Sequence, residues 1–194
     1  MTAKNRSRNS FRIAASAVAL SAASWGVGGS AEATPLTPVS ADYHEIRVEH
    51  SGMCLDVAYY STQNGAQVVQ ANCTGGTNQQ WKITPLGGDR FTIKARHSDK
   101  CLDVAWASTR ERASVVQANC TGAANQAWGF FGGPQYERRS DGKDMPKSYE
   151  FYKLVALHSG HCLDVEGLSL ANGAHVIQAH CWAPGNNQEW RVMP

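Results

Sequence analysis

No stretch of this sequence is apolar for long enough to cross a bilayer. The longest run, Ile13 to about Ala23, falls short of the roughly 20 residues that a spanning helix needs. It follows Lys4, Arg6, Arg8 and Arg12 and precedes Ala31-Glu32-Ala33, so residues 1–33 read as a cleaved secretion signal. Excess charge is missing too. The chain carries 18 Lys and Arg against 16 Asp and Glu, and setting the leader aside leaves 14 against 15. A near-neutral body offers no extended field, so neither nucleic acid nor membrane insertion is expected. No segment sustains a 3.6-residue apolar period long enough to demand a helix. Gly-x-Ser-x-Gly, His-Glu-x-x-His and Cys-x-x-Cys are all absent, which removes the commonest hydrolase and zinc signatures. The expectation is therefore no catalytic residue, no cofactor and no metal.

What is present is a sentence written three times. Cys54-Leu55-Asp56-Val57 returns as Cys101-Leu102-Asp103-Val104 and as Cys162-Leu163-Asp164-Val165. Each copy follows a His-Ser pair: His50-Ser51, His97-Ser98 and His158-Ser159. A second cysteine comes 19 residues after each first one, at Cys73, Cys120 and Cys181. Asn-Gln-x-Trp closes each copy, at Asn78 to Trp81, Asn125 to Trp128 and Asn187 to Trp190. Four features in one register three times make an internal repeat, and a repeat dictates the architecture.

In an exported chain an even number of cysteines at regular spacing implies disulfides. The repeat selects one pairing: Cys54–Cys73, Cys101–Cys120 and Cys162–Cys181. Each closes a loop worth about 3 kcal/mol in the chain-entropy model.

After a short lead-in, residues 34–42, alternation begins. Ile46 and Val48 fall on one side and Glu45, Arg47 and Glu49 on the other, as a half-buried strand requires. Phe91 to Arg96 and Phe151 to Leu157 are its counterparts. In the first repeat four strands are read: His44–Glu49, Met53–Val57, Gln67–Ala71 and Gln80–Leu86. Three repeats, about 43–90, 91–150 and 151–194, give about twelve short strands. No repeat can bury its own apolar face, since isolated hairpins are marginal in water. Three packed about a pseudo-threefold axis share one core, with the leucines and valines of Cys-Leu-Asp-Val and the three tryptophans as occupants. The second and third copies are spaced 61 residues apart against 47 for the first and second. The surplus falls at 132–147, a polar stretch with charges of alternating sign that reads as a solvated surface loop.

With Asn-Gly-Ala-x-Val-x-Gln added (Asn64 to Gln70, Asn172 to Gln178), the set resembles the ricin B-type (R-type) lectin repeat in its secreted actinobacterial type. That resemblance covers about Tyr43 to Pro194. It implies an all-β fold, the β-trefoil, and binding of galactose- or xylose-type sugars. A sugar's vicinal hydroxyls suit a carboxylate acceptor and an amide that donates and accepts at once. Carried over from the family, the clamps are Asp56 with Asn78, Asp103 with Asn125, and Asp164 with Asn187. Gln79, Gln126 and Gln188 are expected to orient the aspartates rather than touch sugar.

One departure stands out. The stacking aromatic usually found two residues before the second cysteine is alanine in all three copies: Ala71, Ala118 and Ala179. Tyr59, Trp106 and Trp182 are the candidate substitutes. The third repeat, with Asp164, Asn187 and Trp182, has the closest family precedents, although Asn186-Asn187 makes it one residue longer. Three weak sites on one body would hold a polymer through effective concentration.

Two other readings compete. A glycosidase needs two carboxylates flanking one bond, whereas these aspartates are spread over three repeats. His50, His97 and His158 recur at one position, as a structural hydrogen bond would; His44, His161, His175 and His180 lack ligand spacing. A protein-binding factor or inhibitor with blunted sugar pockets is the other reading, supported by the three alanines.

Overall fold

The computed structural model describes residues 43–133, 136–138, 144–146, 151–181 and 186–193. The leader, the lead-in and Trp182 lie outside them. Four strands form the first repeat: β1 His44–Val48, β2 Cys54–Val57, β3 Ala66–Ala71 and β4 Gln80–Gly87. The second repeat repeats them as β5 Arg90–Ala95, β6 Cys101–Val104, β7 Val115–Ala118 and β8 Trp128–Gly133. Two short strands follow, β9 Tyr136–Arg138 and β10 Asp144–Pro146. The third repeat holds β11 Phe151–Ala156, β12 His161–Val165, β13 Val176–Ala179 and β14 Trp190–Met193.

The first and fourth strands of the three repeats close a ring. β1 pairs with β4, β4 with β5, β5 with β8, β8 with β11, β11 with β14, and β14 with β1, all antiparallel. Closure removes the edges that would otherwise be free to pair with another chain. The remaining strands form three hairpins, β2–β3, β6–β7 and β12–β13. These meet one another through β3–β7 and through bridges Val69–His175 and Ser114–Ile177. A six-stranded barrel capped by three hairpins is a β-trefoil, the fold that the repeat implies.

Its core is the one the motif supplies. Leu55, Val57, Leu102, Val104, Leu163, Val165, Trp81, Trp128 and Trp190 are all fully buried. A buried indole must spend its N–H on an acceptor. Each does so identically, donating to the leucine carbonyl of its own Cys-Leu-Asp-Val at 2.9, 3.0 and 2.9 Å. All three expected disulfides form, with Cα–Cα separations of 5.2, 5.1 and 5.0 Å.

Part of the stretch read as a surface loop is strand. β8 runs on to Gly133, and β9 and β10 pair antiparallel as a small separate hairpin. Charges of alternating sign leave no apolar period to read, which is why the sequence read it as loop.

The repeated histidines are structural, and they reach across repeats. Nε2 of His50 donates to the Ser169 carbonyl at 2.9 Å, that of His97 to Ser61 at 2.8 Å, and that of His158 to Ser108 at 3.0 Å. Beside them Gln70, Gln117 and Gln178 donate to the same three carbonyls. Their Oε1 atoms accept from Ser51, Ser98 and Ser159, the partners of the repeated His-Ser pairs. The first repeat thus holds the third, the second holds the first, and the third holds the second.

Candidate functional site

Each Cys-Leu-Asp-Val strand ends in a single turn of 3₁₀ type: Ala58–Tyr60, Ala105–Ala107 and Glu166–Leu168. The middle residue of each is left-handed, with φ and ψ of 57° and 22° at Tyr59, 60° and 22° at Trp106, and 66° and 23° at Gly167. Glycine takes this conformation freely, but a bulky residue is strained there by about 1–2 kcal/mol. The strain is not offset by burial. Tyr59 is 101% exposed and Trp106 98% exposed. Two large rings are held in water on costly backbone, and such strain persists where it serves a function.

The aspartate two positions into each strand faces this turn. Asp56, Asp103 and Asp164 are buried, with only 6%, 6% and 5% of their surface exposed. Gln79, Gln126 and Gln188 donate to their Oδ2 atoms at 2.7, 2.8 and 2.7 Å. Asn78 adds a second bond to Asp56 Oδ2 at 2.9 Å. Both donors use one oxygen, so Oδ1 is left to accept from a ligand. The three asparagine amides also donate to the carbonyls of Val57, Val104 and Val165 at 3.2, 3.0 and 2.9 Å. In the copy that is one residue longer, Asn187 still reaches the Val165 carbonyl, and Asn186 before it turns left-handed at φ 60°. A Cβ on Gly76 would lie 2.6 Å from Asn78 Oδ1, so glycine there gives the amide its room.

Burial pushes each of the three carboxyls above its ordinary range. The amide donors oppose this by favouring the charged form, as does one histidine apiece: His97 for Asp56, His158 for Asp103, His50 for Asp164. The result is a half-dry carboxylate with one oxygen pinned, suited to receive neutral hydroxyl donors in charge-assisted bonds.

At the first repeat these parts line one shallow cavity of about 420 Å³. Asp56, Asn78, Gln79 and Tyr59 meet in it, with Ala71 in its wall where the usual ring is missing. It also contains residues that the sequence did not nominate: Tyr60, Asn72, Thr74 and Asn172. Tyr60 packs edge-on to His97, with ring centres 5.2 Å apart, and its hydroxyl bonds Thr77. Asn172 comes from the third repeat, and its Oδ1 accepts from the Asn72 N–H at 2.8 Å. Asn64 does the same for Asn119 at 2.9 Å. The repeated Asn-Gly-Ala-x-Val-x-Gln was the only linear signal for this cross-repeat wall.

Residues 21–118, 86–143 and 124–194 match the family model described as ricin-type beta-trefoil lectin domain-like. No match was found among curated proteins. Among solved structures, the chain is similar to the designed threefold symmetric protein ThreeFoil, at 42% identity, 78% coverage of this chain, 98% of that one and a TM-score of 0.67. It is similar at 29% identity to an exo-beta-1,3-galactanase from Clostridium thermocellum, covering 81% of this chain but 31% of that one, with a TM-score of 0.67. A ricin B-like lectin of Macrolepiota procera, solved in complex with lactose, shares the fold at 16% identity and a TM-score of 0.60, covering 82% of this chain and 99% of that one.

Proposed function

Because the chain belongs to the ricin-type beta-trefoil lectin family, we propose that it is a secreted carbohydrate-binding lectin for galactose- or xylose-type sugars. The observation that carries this reading is the pairing of Tyr59 with Asp56. A fully exposed ring on left-handed backbone stands at the rim of a cavity whose floor is a carboxylate with one oxygen pinned. A sugar has the matching faces: an apolar C–H surface for the ring and adjacent hydroxyls for Oδ1 and the amides. The first repeat is the leading site, ahead of the third. The second, with Trp106 beside Asp103, is its nearest copy. The proposed role is binding: each aspartate is held by the glutamine of its own repeat, and Asp56 by Asn78 as well. Residues 1–33 fit this assignment as an export signal, and export fits the three disulfides.

The test is calorimetry of the mature, oxidised protein against galactose, lactose, xylose, arabinose and a xylan fragment. Binding should be weak for one sugar unit, near millimolar or about −4 kcal/mol. Asp56→Ala should abolish the first-site heat, and Asp89→Asn on the β4–β5 turn should leave it intact. Silence from every sugar with the disulfides formed would sink the reading and move the search to a protein ligand.

A further inference from the structure

The third repeat differs from its siblings just outside the disulfide. Met53 and Lys100 precede the first cysteine in the other copies, and His161 does so here. Asn72 and Asn119 precede the second cysteine, and here it is His180. The β12–β13 ladder ends with Cys162 opposite Ala179, so one further step sets His161 across from His180. Directly opposed side chains have Cβ atoms about 4.5–5.5 Å apart. The two rings follow suit, with centres 4.8 Å apart and planes tilted by 51°. Glu111 of the second repeat completes the group, its Oε2 lying 3.5 Å from His180 Nε2.

His161 is the unexplained member. It is only 9% exposed, and its buried Nδ1 has no hydrogen-bond partner. Nearly every buried polar side chain has a partner, so an orphaned imidazole asks for a ligand. From these positions we propose that His161, His180 and Glu111 bind a divalent transition metal of the zinc class, linking the third repeat to the second. Two imidazoles and a carboxylate are a donor set that zinc accepts, with water left for the fourth position. Two donors each about 2.0–2.2 Å from a tetrahedral ion lie roughly 3.3–3.5 Å apart, which is the separation already present between His180 and Glu111. Those two side chains are half exposed and can turn toward the ion, whereas buried His161 is the fixed anchor. Nearby Arg112 is occupied by Glu166 and does not compete. Among the described residues, the group of three whose ligand atoms already lie within 4.8 Å of one another is Glu45 with Cys54 and Cys73, which the disulfide closes to a metal, so the histidine group has to draw in around the ion.

The experiment uses the untagged, oxidised protein titrated with zinc sulfate at neutral pH by calorimetry. A parallel copper(II) titration is read by electron paramagnetic resonance. One equivalent of zinc should bind, and copper should show coupling to two nitrogens. His161→Met and His180→Asn install the residues of the sibling repeats, so the fold should survive, as circular dichroism can verify. Each should weaken zinc binding by roughly tenfold or more, and Glu111→Gln by less. Zinc should raise the unfolding temperature of the parent protein, reversibly with a chelator, and of neither histidine variant. The absence of saturable binding would overturn the proposal. So would one equivalent of binding that survives both histidine substitutions, since the metal would then sit elsewhere.

Discussion

The turn after β2 and the turn after β12 share one backbone and present opposite surfaces. Tyr59 and Gly167 differ by 9° in φ and 1° in ψ, yet one carries a ring standing free in water and the other nothing. Beneath both turns the framework is the same: a buried aspartate, a glutamine on its Oδ2, an asparagine on the valine carbonyl, an indole on the leucine carbonyl. The wall differs as well, with Asn72 and Asn172 at the first site and His180 and Glu111 at the equivalent place in the third. The lesson is that this fold fixes a polar scaffold three times over and leaves the rim free to diverge. Each rim can then acquire its own ligand without disturbing the core.

The scaffold half of the comparison is the easiest to break. Trp81→Ala and Trp190→Ala should each cost about 3–5 kcal/mol, and nearly the same amount, in denaturant unfolding. Unequal costs would mean that the repeats differ in their cores as well as at their rims. The next effect is on binding. Asp56→Asn removes a charge-assisted bond worth about 1.5–3 kcal/mol and should weaken first-site sugar binding roughly ten- to a hundredfold, while Asp164→Asn leaves that site untouched. Equal losses from both would show the two sites to be alike despite their rims.

Exchanging the turn residues sharpens the contrast at smaller cost. Tyr59→Gly should stabilise the fold by about 1 kcal/mol as the left-handed strain is relieved, and it should weaken sugar binding by about 0.5–1.5 kcal/mol. Gly167→Tyr should do the reverse to stability, measured by the same denaturant titration. Smallest is an effect that all three repeats share. The aspartates have folded pKa values raised above 3.8 by burial. Folding therefore favours their protonated forms, and that contribution is complete below pH 3.8 and lost as pH rises through the raised values. Unfolding free energy should carry this downward drift as pH rises through that window, and each Asp→Asn change should remove a share of it. Sugar binding needs the charged form and should weaken as pH falls through the same window.

Much of this was legible in the sequence because a repeat states its constraints three times. Strand positions, disulfide pairing, indole burial and the hydrogen bonds of the repeated histidines all follow from residues at one register. The rest depends on contacts that cross registers. Asn172 enters the first cavity only because the third repeat packs beside the first. His161 and His180 stand 19 residues apart, which no ligand spacing flags, and it is the strand register that sets them face to face. The left-handed Tyr59 and Trp106 run against propensity, so the residues themselves point away from the conformation they adopt. The sequence around β9 and β10 carries charges of alternating sign and leaves no apolar period to read.

The histidine and glutamine seam between repeats has one more consequence. A row of stacked repeats has two ends, and its terminal units lack a neighbour. Here each repeat's donors land on the carbonyls of the one before it, and the first lands on the third, so the order has no beginning. Glu45 lies beside Met193 where β1 meets β14. Joining those ends with a short linker and reopening the chain before β5 would give a circular permutant that keeps every seam bond and should fold to the same barrel. A two-repeat fragment, by contrast, would expose one set of orphaned donors and one set of orphaned carbonyls, and should not fold alone.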